Sequence, residues 1–280
     1  MKFGRKHDHS GRDHGGRGGI GLATAKAFLA QGAKVALGDL DGELVASVAN
    51  ELGANVLGLP LDVTDPAAFA TFLDAAEAGL GPLDVLVNNA GIMPTGLFVE
   101  EDPAMTDRIL DINLRGVITG SRLALERFTI RGQGHLVDIA SLAGVTGFPG
   151  LATYCATKFA VVGLTEALER EVRDQGIAVT CVLPGVVRTE LSAGTNSPKW
   201  VEALSTLDPE DVASAIVAAV RTRKPKVTVP KRLGATLTTT SLLPRRVRIA
   251  AERLTGAGKA FTEPDPRARE IYHERLRRQG

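Results

Sequence analysis

The sequence predicts an α/β domain of three layers, with a parallel sheet wound in both directions, and three observations point to it. From Gly19 to about Pro230, short runs rich in valine and leucine alternate with helix-patterned segments, the rhythm of repeated βαβ units. Most of these runs end on a polar residue, and open parallel sheets bind ligands outside the carboxyl ends of their strands. A glycine-rich turn opens the first helix, where backbone N–H groups and the helix dipole gather an anion.

Taken in order, the apolar runs place strands at 34–39, 55–62, 84–88, 134–141, 177–184 and 226–230. Helical periodicity fills 19–31, 42–52, 66–78, 103–130, 151–175 and 209–223. Asp65-Pro66, Asp102-Pro103 and Asp208-Pro209 each set a capping carboxylate before a proline at the first helical position. Gly32, Gly53, Gly79 and Gly176 are expected to follow helix ends.

A chain of 280 residues, 44% hydrophobic, suits one large domain with a sizeable core. Its 33 basic and 32 acidic residues leave a net charge of +1, which gives no global attraction to nucleic acid or membrane. The balance is uneven, because counting from Arg221 onward gives 16 basic residues against 5 acidic ones. Cys155 and Cys181 sit in apolar periodic segments, and neither a secretory leader nor an 18-residue apolar run is present. A reducing cytoplasm is the expected compartment.

The turn reads His14-Gly15-Gly16-Arg17-Gly18-Gly19-Ile20-Gly21, and its glycines let the backbone close on a pyrophosphate. A merely flexible loop has the same composition. Asp39 ends the next strand 18 residues after Gly21, where a carboxylate accepts from ribose hydroxyls and repels a 2′-phosphate, favouring NAD over NADP. Arg17 argues the other way, since a guanidinium attracts phosphate, and Asp39 carries more weight.

Upstream of the turn the pattern fails. A central apolar strand belongs there, but the chain offers Phe3-Gly4-Arg5-Lys6-His7-Asp8-His9-Ser10-Gly11-Arg12-Asp13. Omitting about five buried aliphatic side chains forgoes on the order of 10 kcal/mol, comparable with the ~5–15 kcal/mol stability of a whole domain. With suitable GC-rich codons, residues 7–15 shifted by one base read T-T-T-P-V-V-I-T-G, an apolar strand in register with the glycine turn. The other reading of His7, His9, His14 and Asp13 is a metal site, although their spacing matches no closed motif.

From Gly15 to about Pro230 the residues resemble the short-chain dehydrogenases/reductases. Gly15, Gly19 and Gly21 match the family's T-G-x-x-x-G-x-G loop, with His14 in place of threonine. Asn88-Asn89-Ala90-Gly91 matches N-N-A-G, and Asp62-Val63 resembles its adenine-contacting pair. The most specific match is Tyr154-Cys155-Ala156-Thr157-Lys158, a Y-x-x-x-K thirteen residues after Ser141 and preceded by Asn113 in the long helix. Each residue alone has an ordinary structural reading, but the ordered set does not.

The resemblance implies a Rossmann fold over residues 15–230 and hydride transfer between NAD(H) and a small-molecule alcohol or ketone. Residues four apart share a helix face, so Lys158 lies near the Tyr154 phenol and its charge favours phenolate. Tyr154 would be the acid/base, Ser141 would hold the substrate oxygen, and Lys158 would also hold the nicotinamide ribose. Asn113 would bend its helix and anchor a water that relays protons toward Lys158. Gly15, Arg17, Gly18, Gly19, Ile20 and Gly21 would cradle the pyrophosphate. Asp39, Asp62, Val63, Asn89, Ala90 and Gly91 would line the adenosine and ribose side, and Pro184, Gly185, Val187 and Thr189 the nicotinamide. Family members commonly pair two long helices across subunits, which implies a homodimer or homotetramer. A silent binding protein, its cofactor affinity lost with the altered N-terminus (1–18), is the alternative.

Leu142, Ala143, Gly144, Val145, Phe148, Ile92 and Met93 make the expected pocket apolar, which suits a lipophilic substrate. Residues 190–204, with Pro198 and Trp200, have the composition of a substrate lid, and Trp200 suits an ordinary core equally. The basic extension, 231–280, includes an amphipathic stretch at 231–254. It suits a helix packed over the cleft or a neighbouring subunit better than a membrane-surface contact. The final run, 267–278, mixes both charge signs and reads as an exposed helix end.

Overall fold

Valine-rich runs that are apolar on both faces must be covered on both faces, which makes them the middle layer of a sandwich. The computed structural model describes residues 19–192, 194, 206–232, 246, 261, 262, 269, 272–274 and 276. Its parallel strands are β1 (Val35–Asp39), β2 (Val56–Pro60), β3 (Val85–Asn88), β4 (Gly134–Ile139), β5 (Ile177–Pro184) and β8 (Lys226–Val229), with a two-residue ladder between β6 (Val186–Val187) and β7 (Thr206–Leu207). In register, Val87 faces Val137 and Val137 faces Thr180, while every residue of β5 is buried.

One face is covered by α1 (Ile20–Leu29), α2 (Gly42–Leu52) and α7 (Pro209–Thr222). The other is covered by α3 (Pro66–Leu80), α5 (Gly116–Arg131) and α6 (Ala152–Val172), with α4 (Pro103–Leu110) leading into α5. Asp65 and Asp102 cap their helices through backbone N–H groups, and Asp208 forms a reciprocal capping box with Asp211. Two expectations need correction. Gly79 lies inside α3, which runs on to Leu80 and ends at Gly81 with φ 98°, a value that favours glycine. The segment 103–130 is not one helix, because a π-helical turn at Asp111–Arg115 separates α4 from α5. The β6/β7 ladder escaped sequence reading because two residues show no period.

Among the described residues the sheet falls into two parts, β2-β1 and β3-β4-β5-β8. β1 and β3 therefore each present one edge with no paired strand. The covering helices nonetheless span both parts. Phe28 of α1 packs against the cluster of Leu37 and Val45 and also against that of Val87 and Val137. On the opposite face, Phe69, Phe72 and Leu73 of α3 pack with Leu61 and Ala36 on one side and Leu86 on the other. A cavity lined by Val63, Phe69, Phe72, Leu86, Val87 and Asn88 lies beside β3. Residues 1–18, including Gly15, Arg17, Gly18 and the N-terminal histidines, lie outside the described residues.

An apolar strand bridging these two edges would complete the layer. Replacing residues 7–15 with T-T-T-P-V-V-I-T-G is expected to raise the free energy of urea unfolding by several kcal/mol, up to about 10 kcal/mol. Stability equal to that of the chain as written would contradict the missing-strand account. The gene's nucleotide sequence gives an independent check, and it fails if no single-base shift restores such a strand.

Candidate active site

The carboxyl ends of β3 and β4 and the first turns of α6 bring the expected residues together. Lys158 is 4% exposed, and its Nζ donates to the Ile139 carbonyl at 2.9 Å. Asn113, fully buried in the π-helical turn, pairs with the backbone of Ile92: Oδ1 accepts from Ile92 N and Nδ2 donates to Ile92 O, both at 2.8 Å. That pairing ties the π-helical turn between α4 and α5 to the loop after β3. Gly91 sits between the two. A Cβ there would lie 3.4 Å from Asn113 Oδ1 and 3.8 Å from Lys158 Nζ, in ordinary contact with both.

One helical turn before Lys158, Tyr154 is 6% exposed, with the ammonium 5.6 Å from its ring centroid. Burial pushes the phenol up from its ordinary value, with a smaller upward push from Tyr272 and Cys155, and a hydrogen bond with Ser141 pulls the other way. The expected net lowering by Lys158 is therefore not met without a further cation in the site. Burial also lowers the Lys158 ammonium to about 8. Ser141 caps a short 3₁₀ turn at Leu142–Gly144, its Oγ accepting from Ala143 N at 3.1 Å. Met93, Ala143, Leu151 and Cys155 pack around Tyr154 as an apolar cluster.

The residues expected on the dinucleotide side lie along the same sheet edge. α1 begins at Gly19, which offers no side-chain cap, and α1 carries no acid in its first turn. A Cβ at Gly19 would meet nothing within 4 Å among the described residues. Asp39 ends β1, is buried, and accepts from Asp41 N at 3.1 Å. Asp62 is exposed and turns the chain through Thr64, while Val63 packs on Gly116. Asn89, Ala90 and Gly91 follow β3 directly. Pro184 closes β5, Gly185 N donates to Val229 O at 2.8 Å, Val187 is buried, and Thr189 Oγ1 donates to Val187 O. Trp200 and most of 190–204 lie outside the described residues. No group of three or more metal-binding side chains, and no helix long and apolar enough to cross a membrane, occurs among those described.

The final run corrects a second expectation. Arg269, Tyr272 and Leu276 are buried rather than exposed, and Phe261 joins the Tyr154 cluster. Tyr272 Oη accepts from Met93 N at 2.9 Å, and Arg269 donates to Leu191 O at 3.1 Å and Met93 O at 3.3 Å. The signal was available, since positions 269, 272 and 276 share one helix face.

Comparison with known proteins follows the same outline. The family model for short chain dehydrogenase matches residues 14–200. The chain belongs to the short-chain dehydrogenase family. It is 38% identical over 206 residues to the 3-alpha-(or 20-beta)-hydroxysteroid dehydrogenase of Mycobacterium tuberculosis (strain ATCC 25618 / H37Rv), covering 72% of this chain and 78% of that protein. It is likewise 38% identical over 219 residues to 2-(S)-hydroxypropyl-CoM dehydrogenase 3 of Xanthobacter autotrophicus, covering 72% and 86%. A crystal structure of a short chain dehydrogenase/reductase from Burkholderia phymatum in complex with NAD superposes with a TM-score of 0.71 at 26% identity, covering 79% of this chain and 88% of that one.

Within this short-chain dehydrogenase, sequence reasoning missed Asp138. Its carboxylate is fully buried on β4 and accepts from Asn88 Nδ2 at 2.8 Å, with Thr165 Oγ1 2.9 Å from its second oxygen and Ser121 Oγ 3.4 Å from the first. Burial outweighs these bonds and the nearby Lys158 charge, raising the carboxyl from 3.8 to about 6. A folded value above the unfolded one gives stability that is full below the unfolded value and is lost as pH rises through the folded one. Asp138→Asn keeps an acceptor for Asn88, so urea melts are expected to lose about 2–3 kcal/mol of the decline between pH ~4 and ~7. A slope identical to that of the native chain would contradict this.

Proposed function

We propose that this short-chain dehydrogenase oxidises a lipophilic secondary alcohol with NAD, and reduces the corresponding ketone with NADH. The observation that carries the reading is the convergence of Tyr154, Ser141, Lys158 and Asn113 at one sheet edge. A phenol, a hydroxyl and an ammonium would share one substrate oxygen there, a reading supported by the Ser141–Tyr154 hydrogen bond and by Lys158 lying 5.6 Å from the Tyr154 ring centroid. The dehydrogenase names of the relatives, both referring to hydroxyl-bearing compounds, and the NAD-bound neighbour support it.

The residues present fit a dinucleotide. The uncapped N-terminus of α1 supplies backbone donors for a pyrophosphate, and buried Asp39 supplies acceptors for ribose hydroxyls. Gly15, Arg17, Gly18, Gly19, Ile20 and Gly21 would hold the phosphates. Asp62, Val63, Asn89, Ala90 and Gly91 would flank the adenosine half, and Pro184, Gly185, Val187 and Thr189 the nicotinamide. Bound NAD would supply the hydride acceptor for the carbinol carbon. Tyr154 takes the hydroxyl proton on its phenolate oxygen, and Ser141 holds the same substrate oxygen by a hydrogen bond. Lys158 keeps positive charge beside the phenolate, and Asn113 fixes the bend that positions Lys158. Met93, Ala143, Leu151 and Phe148 exclude water from the carbinol. Exposed Ile118 on α5 and Phe159 on α6 are suited to pairing two subunits.

Tyr154→Phe removes the proton-bearing oxygen and spares the ring. Turnover of secondary alcohols, followed by NADH absorbance, is expected to fall by about 10²–10⁴-fold, the usual contribution of a positioned acid/base, with NAD affinity by calorimetry little changed. Activity near that of the native chain would remove Tyr154 from the role. Asp39→Ser should weaken NAD and strengthen NADP binding, and an unaltered preference would show that Asp39 does not face the ribose.

A further inference from the structure

Tyr154 and Lys158 are too well covered for a substrate to reach them without movement. Most of the cover comes from the dehydrogenase core itself, through Met93, Ala143, Leu151 and Cys155. Phe261 comes from far along the chain. Its ring meets Phe148 edge-on, with centroids 5.7 Å apart, and it packs in the same cluster as Tyr154 and Cys155. Its backbone is seated equally closely: a Cβ on Gly150 would lie 2.6 Å from the Phe261 carbonyl oxygen, and Gly150 holds φ 80°. Only glycine suits both the conformation and the contact.

Further contacts fasten this part of the chain. Arg269 donates to Leu191 O and Met93 O, Tyr272 Oη accepts from Met93 N, and Tyr272 and Leu276 pack with Ile92 and Ile109. The Arg269 guanidinium is 3% exposed, its Nε lacks a hydrogen-bond partner, and it makes no ion pair among the described residues. Its charge rests on two carbonyls and on the Tyr272 ring, 5.2 Å away. A buried cation held only by neutral groups is costly to bury, so this fastening releases more readily than an ion pair of the same reach.

We propose that Phe261, Arg269, Tyr272 and Leu276 form a strap that closes over the substrate side of Tyr154, that Arg269 and Tyr272 are its clasp, and that Phe261 is the specificity-determining wall that limits the apolar reach of the substrate. The strap opens to admit an alcohol and closes to exclude water from the carbinol. Met93 couples clasp to site, because its backbone binds both Arg269 and Tyr272 while its side chain touches the Tyr154 cluster. The kinetic consequence rests on the dehydrogenase reading, whereas the covering role does not.

Cys155 reports the strap, since it is buried in the same cluster as Phe261, and Cys181, buried in β5, is an internal control. Labelling with a thiol reagent, resolved by peptide mass spectrometry, is expected to be about tenfold or more faster at Cys155 in Arg269→Met and in Phe261→Ala, through easier local opening, with Cys181 unchanged. Gly150→Ala, which disturbs the seat from the opposite side, should do the same. In Phe261→Ala the ratio of kcat/KM for 2-decanol to that for 2-butanol should rise about tenfold or more, as expected when an apolar pocket lengthens. Circular dichroism establishes that each variant is folded. Cys155 labelling at the native rate in all three variants would overturn the strap, and an unmoved chain-length ratio would overturn Phe261 as its wall. Faster Cys155 labelling in an enzyme whose native form oxidises no alcohol would instead refute the dehydrogenase reading and leave the strap standing.

Discussion

The arrangement depends on one buried ammonium. Lys158 is carried into the interior by α6, and a charge withdrawn from water there requires fixed acceptors. The Ile139 carbonyl at the end of β4 supplies one directly. That single bond ties α6 to the sheet edge where the polar strand ends gather. The rest of the junction gathers beside the ammonium. Gly91 lies next to both Lys158 and Asn113, and Asn113 leaves regular helical geometry where it pairs with Ile92. A π-helical turn inside a long helix is costly unless such a pairing stabilises it, which is why these turns concentrate at functional sites.

A second buried charge lies close behind. Asp138 holds Asn88, Ser121 and Thr165 together and feels Lys158, so the last residues of β3 and β4 are fixed by side-chain bonds in addition to the ladder. The site is thus stiff at its base and covered by separable parts above. Among the described residues, the edges of β1 and β3 lack a paired strand and are bridged by the helices on either face.

Much of this was legible in the sequence. Strand positions followed from valine-rich runs, and helix starts followed from the Asp-Pro pairs because both residues act locally. The catalytic set was legible through order and spacing. Asp138 was not, because a lone acid in an apolar strand has no sequence signal of what surrounds it. The burial of Arg269, Tyr272 and Leu276 was obscured by mixed charges, which usually mark an exposed face. The three-and-four spacing of Arg269, Tyr272 and Leu276 was the better guide, and it was outweighed by composition. The lowering of Tyr154 was expected from Lys158 together with an oxidised nicotinamide, and in the chain by itself burial of the phenol is the larger effect.

The chain contains two tyrosines, which allows the central claim to be measured without turnover. In Tyr272→Phe, whose ring still covers Arg269, absorbance at about 295 nm reports ionisation of Tyr154 alone against the value of about 10 for free tyrosine. The account predicts a midpoint above that value in the protein by itself, falling when saturating NAD adds positive charge beside the phenol. A midpoint at the free value, unmoved by NAD, would mean that Tyr154 is neither buried at the cofactor nor poised to accept a proton there.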